Sequence, residues 1–260
     1  MGNGPDINKK LRILFITQED PFYVRIFFDE FLNHYRDRID ITGVVICSTI
    51  GKQSLAEKAK RLFDLYGFID FSRLLVRYAG SKISGQTLKQ LFKKYQIPCF
   101  DSPGINSDQF VSHWLSMEID VIVSVASSEI FKPKLLKVAR WGCINIHHAK
   151  LPRYRGMMPN FWQMYFDEKS AGITVHKINK KIDDGEILLQ RDVIIQDNET
   201  LDSLIKRTKR IGARCIFEVL ECIRQNKVVY FPNDPGNASY YSFPTKLDAR
   251  VFRKKGKKLL

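Results

Sequence analysis

The stretch Gly142–Gly156 reads GCINIHHAKLPRYRG and carries the strongest local signal in the chain. It begins as an apolar strand and then turns polar at Asn145 and His147. Side chains at alternate positions of a strand point to the same side of a sheet. This amide and this imidazole should therefore lie side by side. Such a pair at a strand's end indicates a functional site rather than a core.

Short apolar runs before this stretch predict an open parallel sheet. Residues 11–17 (LRILFIT), 39–47 (IDITGVVIC) and 120–125 (DVIVSV) have the composition of buried parallel strands. Amphipathic segments such as 21–35 lie between them, so strands and helices alternate through the first half of the chain. The predicted fold class is α/β, an open, mostly parallel Rossmann-like sheet with helices on both faces. Ligands of such sheets bind at the carboxyl ends of the strands.

The remaining elements are predicted from the same patterns. Helices are expected at 87–95, 107–117, 133–139, 159–166 and 200–222, and strands at 97–100, 142–146, 171–178, 186–195 and 228–231. Segment 171–178 alternates apolar and polar residues, which favours a strand with one solvated or site-facing side. The first strand-to-helix turn, TQEDPF, has no glycine. It therefore cannot form the Gly-rich phosphate cradle of a dinucleotide or P-loop site.

Composition places the chain among soluble globular proteins. It has 260 residues, with 44% hydrophobic and 27% charged side chains. We predict a catalytic domain over residues 1–230 and a C-terminal extension with a basic tail over residues 231–260. The five cysteines are scattered without a CxxC pair, which favours reduced core cysteines in a cytoplasmic protein. Neither a signal peptide nor a transmembrane run is apparent.

The net charge of +14 favours anionic partners, namely phosphorylated metabolites, nucleic acid or anionic lipid. Solubility alone is an equal alternative. Much of the charge lies in Lys52–Tyr78, where basic residues alternate with apolar ones. This segment is predicted to form two basic amphipathic helices hinged near Gly67. It would pack its apolar face on the core, contact an anionic substrate or lie on a membrane surface, and the pattern does not separate these three interpretations.

The polar residues of the central stretch suit the transfer of a formyl group between two nitrogens. That reaction needs a hydrogen-bond donor for the oxyanion, which Asn145 would supply. It also needs a group that exchanges protons near neutrality, which His147 would supply. A carboxylate must orient that group or relay its proton. Asp183 and Asp184, in a Gly-containing turn further along the chain, both fit this role.

Three segments resemble one known family, the 10-formyltetrahydrofolate-dependent formyltransferases. INIHHAKLPRYRG is similar to their INxH-x-S-LLPxxRG signature, and KIDDGEILLQ is similar to their downstream LDxGxxL turn. VIVSVASSEIFKPKLL resembles the segment that lines the folate pocket in that family. The resemblance is strong over residues 121–195 and looser in the first β-α-β unit. Separate motifs in the family's order are much more specific than a lone Asn-x-His.

The resemblance implies a role for particular residues. Asn145, His147 and Asp183, rather than Asp184, match the catalytic set. The co-substrate would be 10-formyltetrahydrofolate, and no metal is expected. The residues expected to hold its pterin ring are Ala126, Ser127, Ser128, Glu129, Ile130 and Ile182. Tyr154, Arg155 and Gly156 match the part of the signature near the acceptor entrance. Ala149 and Lys150 depart from the signature, and His148 and His176 have no matched role, so both histidines are expected to be structural.

The acceptor is inferred by elimination. Family members formylate methionyl-tRNA, glycinamide ribonucleotide or nucleotide-linked amino sugars. The resemblance implies a C-terminal β-barrel in the first group and a Gly-rich first loop in the second, and the sequence shows neither. We therefore expect a primary amine on a nucleotide-linked amino sugar, a small anionic substrate. The alternatives are methionyl-tRNA-type activity on another amine and a non-catalytic protein that binds nucleic acid or a membrane surface. The C-terminal residues are expected to close over the acceptor or to mediate a homodimer.

Overall fold

The structure, a computed structural model, describes residues 10–47, 54–102, 104–127 and 129–260. Nine strands are present: β1 Arg12–Gln18, β2 Asp40–Cys47, β3 Cys99–Ser102, β4 Val121–Val125, β5 Gly142–His147, β6 Arg155–Gly156, β7 Ser170–Lys177, β8 Ile187–Ile194 and β9 Tyr240–Tyr241. Seven of these form one sheet in the order β3-β2-β1-β4-β5-β7-β8. The first five strands in this order run parallel to one another. Strand β7 runs antiparallel to both of its neighbours, β5 and β8. The predicted fold class is confirmed.

Within the described ranges, seven α-helices accompany the strands: α1 Val24–Tyr35, α2 Leu55–Ile83, α3 Leu88–Lys94, α4 Asp108–Ser116, α5 Pro159–Tyr165, α6 Leu201–Arg224 and α7 Lys246–Lys254. Helices α1 and α6 cover one face of the sheet, where Tyr35 stacks on Phe217 with ring centroids 4.1 Å apart. Helix α4 covers the other face with the buried indole of Trp114. No helix in the described ranges is both long and apolar enough to cross a membrane.

The alternation of side chains along the strands decides which groups reach each face. In β5, Ile144 and Ile146 enter the hydrophobic core under α1 and α6. Asn145 and His147 consequently point to the opposite face, as period-2 geometry requires. Because β5 lies between β4 and β7, Asn145 pairs with Ser124 on one side and His176 on the other. The carboxyl end of β5 thus places both predicted residues beside a neighbouring histidine.

Two predicted elements are wrong. Residues 133–139 contain only a single 3-10 turn at Leu135–Lys137 instead of a helix. A longer helix cannot form here, because the next residues are already bonded beside the sheet. The Arg140 and Trp141 amides donate to the carbonyls of Ile119 and Asp120. Residues 228–231 do not form a strand, since only Phe231 makes a bridge, to Ile187. The chain then turns inward at Asn233, which binds another part of the structure.

Helix α2 breaks at Gly67, as predicted. Gly67 adopts φ +68° and ψ 179°, a conformation that favours glycine and separates two helical halves. Leu65, Tyr66 and Leu74 are buried in a separate core that they form with α5 and α7, which fits the first of the three interpretations of this segment. The residues at the start of the predicted segment, 52 and 53, lie outside the described residues.

The predicted C-terminal extension packs into that same core. Phe252 of α7 stacks on Phe161 of α5 with ring centroids 4.7 Å apart. Strand β9 pairs in parallel with β6, which forms the end of the signature stretch. The amides of Leu201 and Asp202, at the start of α6, donate to the carbonyls of Lys258 and Leu259. The boundary after residue 230 stays a prediction from sequence, but the residues beyond it support the same site.

Candidate active site

The three residues predicted to act together meet at the carboxyl end of β5. Nδ1 of His147 lies 3.5 Å from Oδ2 of Asp183. Nδ2 of Asn145 lies 3.1 Å from Nε2 of His176, which in turn lies 3.6 Å from Oδ1 of Asp183. One carboxylate therefore stands between two imidazoles, and one of these imidazoles orients the amide. The catalytic roles stay a prediction, but the residues that would carry them form one cluster.

His147 is held by its backbone surroundings as well as by Asp183. Its Nε2 lies 2.7 Å from the carbonyl oxygen of Tyr154, so the ring donates a proton there and leaves Nδ1 on the side of the carboxylate. Burial lowers the pKa of His147, whereas Asp183 and the Tyr154 carbonyl oppose this effect. The neutral imidazole therefore predominates at neutral pH. Nδ1 can then accept a proton, and Asp183 stabilises the imidazolium that results.

Asp183 reaches this position from a strained turn. Its φ is +49°, an uncommon value for a residue with a side chain. Burial alone would raise the pKa of its carboxyl group, but His147, His176 and the amide of Gly156 outweigh burial and hold that pKa well below its usual range. The Gly156 amide donates to Oδ2 over 3.0 Å. The carboxylate is therefore ionised throughout the neutral pH range.

The neighbouring Asp184 belongs to the support of this turn. Its Oδ1 pairs with Nη1 of Arg155 at 2.6 Å, and both side chains are largely buried. Nη2 of Arg155 donates to Oδ1 of Asn233, while Nδ2 of Asn233 donates to the carbonyls of Asp183 and Gly185. Asn233 thus fixes both ends of the turn that presents the Asp183 carboxylate.

We expect Asn233→Leu to loosen this turn. The variant leaves two carbonyls and one N–H group of Arg155 without their partner, which costs about 1–3 kcal/mol of unfolding free energy. Turnover should fall as well, because the Asp183 carboxylate loses its fixed position. Urea unfolding and steady-state kinetics measure the two effects. Asn237→Leu is the matched control, since Asn237 is exposed and its side chain donates to the nearby Asp234. Equal stability of both variants would contradict this account of the turn.

A cavity of about 480 Å³ opens beside these residues. We call it the Asp183 cavity, and its lining includes Asn145, His147, His176 and Asp183. Five of the six residues expected to hold the pterin ring also line it, namely Ala126, Ser127, Glu129, Ile130 and Ile182. Oε1 of Glu129 is buried there and has no hydrogen-bond partner within the part of the chain that the structure describes, so a heterocycle bearing N–H groups would suit it. Ser128 lies outside the described residues.

The three residues expected near the acceptor differ from one another. Gly156 lines the Asp183 cavity, and its φ of +97° together with the Tyr241 carbonyl, 2.3 Å from a Cβ at this position, excludes a side chain. The Tyr154 side chain is buried away from the cavity and donates to Glu168, so only its carbonyl reaches the site. Arg155 binds Asp184 and Asn233. The contacts of Tyr154 and Arg155 therefore indicate that these two side chains support the site and do not contact the substrate.

A second cavity, of about 470 Å³, adjoins the first. We call it the Lys209 cavity. It shares His147, Gly156 and Met157 with the Asp183 cavity, and its lining includes His148, Asn160 and Lys209. A groove of about 1090 Å³ along α2 continues from it and shares Asp20, Phe22 and Phe243 with it. This α2 groove carries several basic side chains, namely Lys58, Arg61, Lys82 and Lys89.

Sequence reasoning missed several members of the site. His176 was expected to be structural, but it contacts both Asn145 and Asp183. Its position on β7 directly opposite Asn145 follows from strand pairing, which local patterns do not reveal. Lys209 lies on α6, where it reads as part of an ordinary solvated face. The alternation of 171–178 did carry a signal, because its polar residues Thr174 and His176 face inward and are buried.

Fold and site together define an α/β enzyme with an amide, an imidazole and a carboxylate at the carboxyl edge of its sheet. The model of the formyl transferase family matches residues 76–220, which is more than half of the chain. The chain belongs to the formyl transferase family, as its sequence motifs predicted. Within the described ranges, no group of three or more His, Cys, Asp or Glu side chains is arranged to hold a metal ion.

The curated relatives and solved structures that resemble the chain differ in their acceptors. The methionyl-tRNA formyltransferase of Kosmotoga olearia is 30% identical over 169 residues, which cover 65% of this chain and 54% of that protein. The chain thus spans about half the length of the curated relatives it matches. A sugar N-formyltransferase from a Shewanella species has a TM-score of 0.59 at 17% identity and covers 93% of this chain and 86% of its own.

A third similar protein is the N-formyltransferase of Helicobacter canadensis, solved in complex with folinic acid and dTDP-3-aminofucose. Its TM-score is 0.57 at 16% identity, and the match covers 89% of this chain and 71% of that one. At such identities the likeness of the two solved structures shows a shared fold. The choice between a sugar and a tRNA acceptor therefore depends on the chain's own cavities.

Proposed function

We propose that the protein transfers the formyl group of 10-formyltetrahydrofolate to a primary amine of a nucleotide-linked amino sugar. The observation that carries this proposal is the meeting of two cavities at His147. The Asp183 cavity, with Asn145 and the residues after β4, would hold the formyl donor. The Lys209 cavity would hold the amine, and the α2 groove would hold the nucleotide.

The chain's residues would divide the chemistry as follows. Asn145 has a second amide hydrogen besides the one directed at His176, and it can donate this hydrogen to the formyl oxygen as negative charge develops there. Nδ1 of His147 would accept the proton that the attacking amine loses. Asp183 would stabilise the imidazolium until the proton passes to the departing nitrogen of the donor. Tetrahydrofolate and the formamide are then the products.

The α2 groove supports a nucleotide-linked acceptor over a free sugar. Lys58, Arg61 and Lys82 project from α2 into its lining, and Phe71 and Tyr78 provide apolar and aromatic surface. Basic side chains favour a diphosphate, and aromatic rings favour a base. The turn between β1 and α1 does not compete for this role, because the Asp20 carboxylate is already present there and accepts from the Phe22 and Tyr23 amides.

The test measures tetrahydrofolate release from 10-formyltetrahydrofolate with a panel of acceptors. We expect turnover with at least one UDP- or dTDP-linked amino sugar and none with glycinamide ribonucleotide. Turnover with methionyl-tRNA alone would replace the proposed acceptor by tRNA while leaving formyl transfer intact. Absence of release with every acceptor, together with absence of folate binding in calorimetry, would refute formyl transfer itself.

A further inference from the structure

The floor of the Lys209 cavity is built from three polar side chains that the formyl-transfer chemistry does not use. His148 follows β5, Asn160 lies in α5, and Lys209 lies in α6. All three line the cavity. His148 and Asn160 are almost completely buried, with 7% and 4% of their surfaces exposed. Leu65, Phe161 and Ile205 are among the apolar residues that form the walls.

Each of the three keeps hydrogen-bonding capacity that the protein does not satisfy. Nε2 of His148 and Oδ1 of Asn160 have almost no solvent-accessible surface, and neither has a hydrogen-bond partner among the described residues. Among the residues that the structure describes, no hydrogen bond or ion pair involves the Lys209 ammonium group. Leaving such groups unpaired in an interior is costly, and native structures seldom do so without a purpose. A ligand that pairs with them would recover this cost.

The three groups are contiguous. Nδ2 of Asn160 donates to Oγ1 of Thr208, the residue before Lys209, over 2.9 Å. A Cβ at Gly212 would lie 3.5 Å from Nε2 of His148, an ordinary contact distance, and 2.6 Å from Ile146, so the absence of a side chain there leaves room for Ile146 and lets α6 pack against His148. Lys209 and Gly212 are three residues apart on α6 and therefore share one helix face.

The electrostatics agree with this arrangement. Burial lowers the pKa of Lys209 to about 8, and the Asp20 carboxylate opposes this effect. Burial and then the nearby Lys209 charge lower the pKa of His148 well below its ordinary value. His148 is therefore neutral at neutral pH, and its unpaired ring nitrogen either donates or accepts. The floor consequently offers a cationic donor at Lys209, a neutral imidazole at His148 and an acceptor at Asn160. The Asp20 carboxylate, which also lines the cavity, is a further acceptor.

A mixture of donors and acceptors restricts the chemistry of the ligand. A phosphate or carboxylate would face the Asn160 oxygen and the Asp20 carboxylate, which repel it. An apolar group would leave all of the floor unpaired. A hydroxyl group both donates and accepts, so adjacent hydroxyl groups on one ring can satisfy the floor. We propose that this floor recognises ring hydroxyl groups of the acceptor and thereby selects which amine reaches His147. The inference depends on the proposed sugar acceptor.

The decisive probes are free glucosamine, galactosamine and kanosamine, with cyclohexylamine as a ring of the same size that has an amine but no hydroxyl group. Saturation-transfer NMR measures their binding to the protein without any turnover. We expect at least one amino sugar to bind about tenfold more tightly than cyclohexylamine, the effect of one hydrogen bond to a charged group. In Lys209→Met this preference should disappear. In Arg210→Met, which replaces the exposed residue next to Lys209, the preference should persist.

Outcomes of this experiment separate the floor from the proposed function. Equal or tighter binding of cyclohexylamine to the wild-type protein would overturn the inference even if sugar nucleotides are formylated. Preference for the amino sugars without any formyl transfer would leave the floor standing and refute the reaction. His148→Leu provides a second route should Lys209→Met fail to fold. With a nucleotide-linked acceptor, it should raise the KM for that acceptor about tenfold and leave the KM for 10-formyltetrahydrofolate unchanged; an equal rise in both would also overturn the inference.

Discussion

Asp183→Asn should lower kcat for formyl transfer by about a hundredfold to ten-thousandfold, the range attributed to general acid–base groups. The amide can still accept the Gly156 N–H, so the turn keeps its shape. It has no charge, however, to stabilise an imidazolium at His147, 3.5 Å away. Kinetics at saturating concentrations of both substrates measure the loss, and the thermal midpoint shows whether the fold persists.

Asp184→Asn is the matched control for this substitution. Asp184 pairs with Arg155 and lies behind the turn, so its loss should reduce kcat by no more than about threefold. Because the pair is mostly buried, the control should nevertheless be less stable than wild type by about 1–3 kcal/mol. A larger kcat effect from Asp184 than from Asp183 would refute the assignment of the carboxylate.

His147→Ala should cause a loss of kcat of the same size and should also change the pH profile. Burial lowers the pKa of His147 below its ordinary value of 6.5, so the wild-type rate should fall on the acid side only below pH 6.5. The variant should lack this limb, because the group that becomes protonated is gone. Rates measured from pH 5 to 8 provide the test. His34→Ala, at an exposed position in α1, should keep the wild-type profile.

Both groups predict that acid destabilises the folded protein, each in its own pH range. The pKa of His147 is lowered in the folded state, so acid below about pH 6.5 favours the unfolded chain, which binds the proton more readily. The pKa of Asp183 is also lowered, so the stability it contributes is complete above about pH 3.8 and is lost as the pH falls below that value. If the loss of stability below about pH 6.5 persists in His147→Ala, the group that titrates there is not His147.

Local patterns were sufficient to predict the parallel sheet and the placement of Asn145 beside His147. Buried runs such as 120–125 and the amide–imidazole alternation of β5 depend on period-2 geometry, which a sequence displays directly. The break at Gly67 was equally apparent, since only glycine adopts its backbone conformation at low cost. The family signature then located Asp183, which no local pattern connects to β5.

What the sequence could not provide depends on contacts between distant segments. His176 enters the site through antiparallel pairing with β5, and Lys209 lines the adjoining cavity from α6, which covers the opposite face of the sheet. The single turn at 135–137 replaced a predicted helix because the following residues are already bonded to the sheet. In each case the tertiary structure overrode a pattern that was locally sound.

The pairing of β6 with β9 has a consequence for the order of assembly. The Gly156 amide that holds Asp183 belongs to a strand whose only partner in the described structure is Tyr240–Tyr241. During synthesis the signature stretch leaves the ribosome long before those tyrosines exist. The sheet can form early, but the carboxylate acquires its final neighbours only when β9 arrives. Competence for catalysis is therefore one of the last properties that the folding chain acquires.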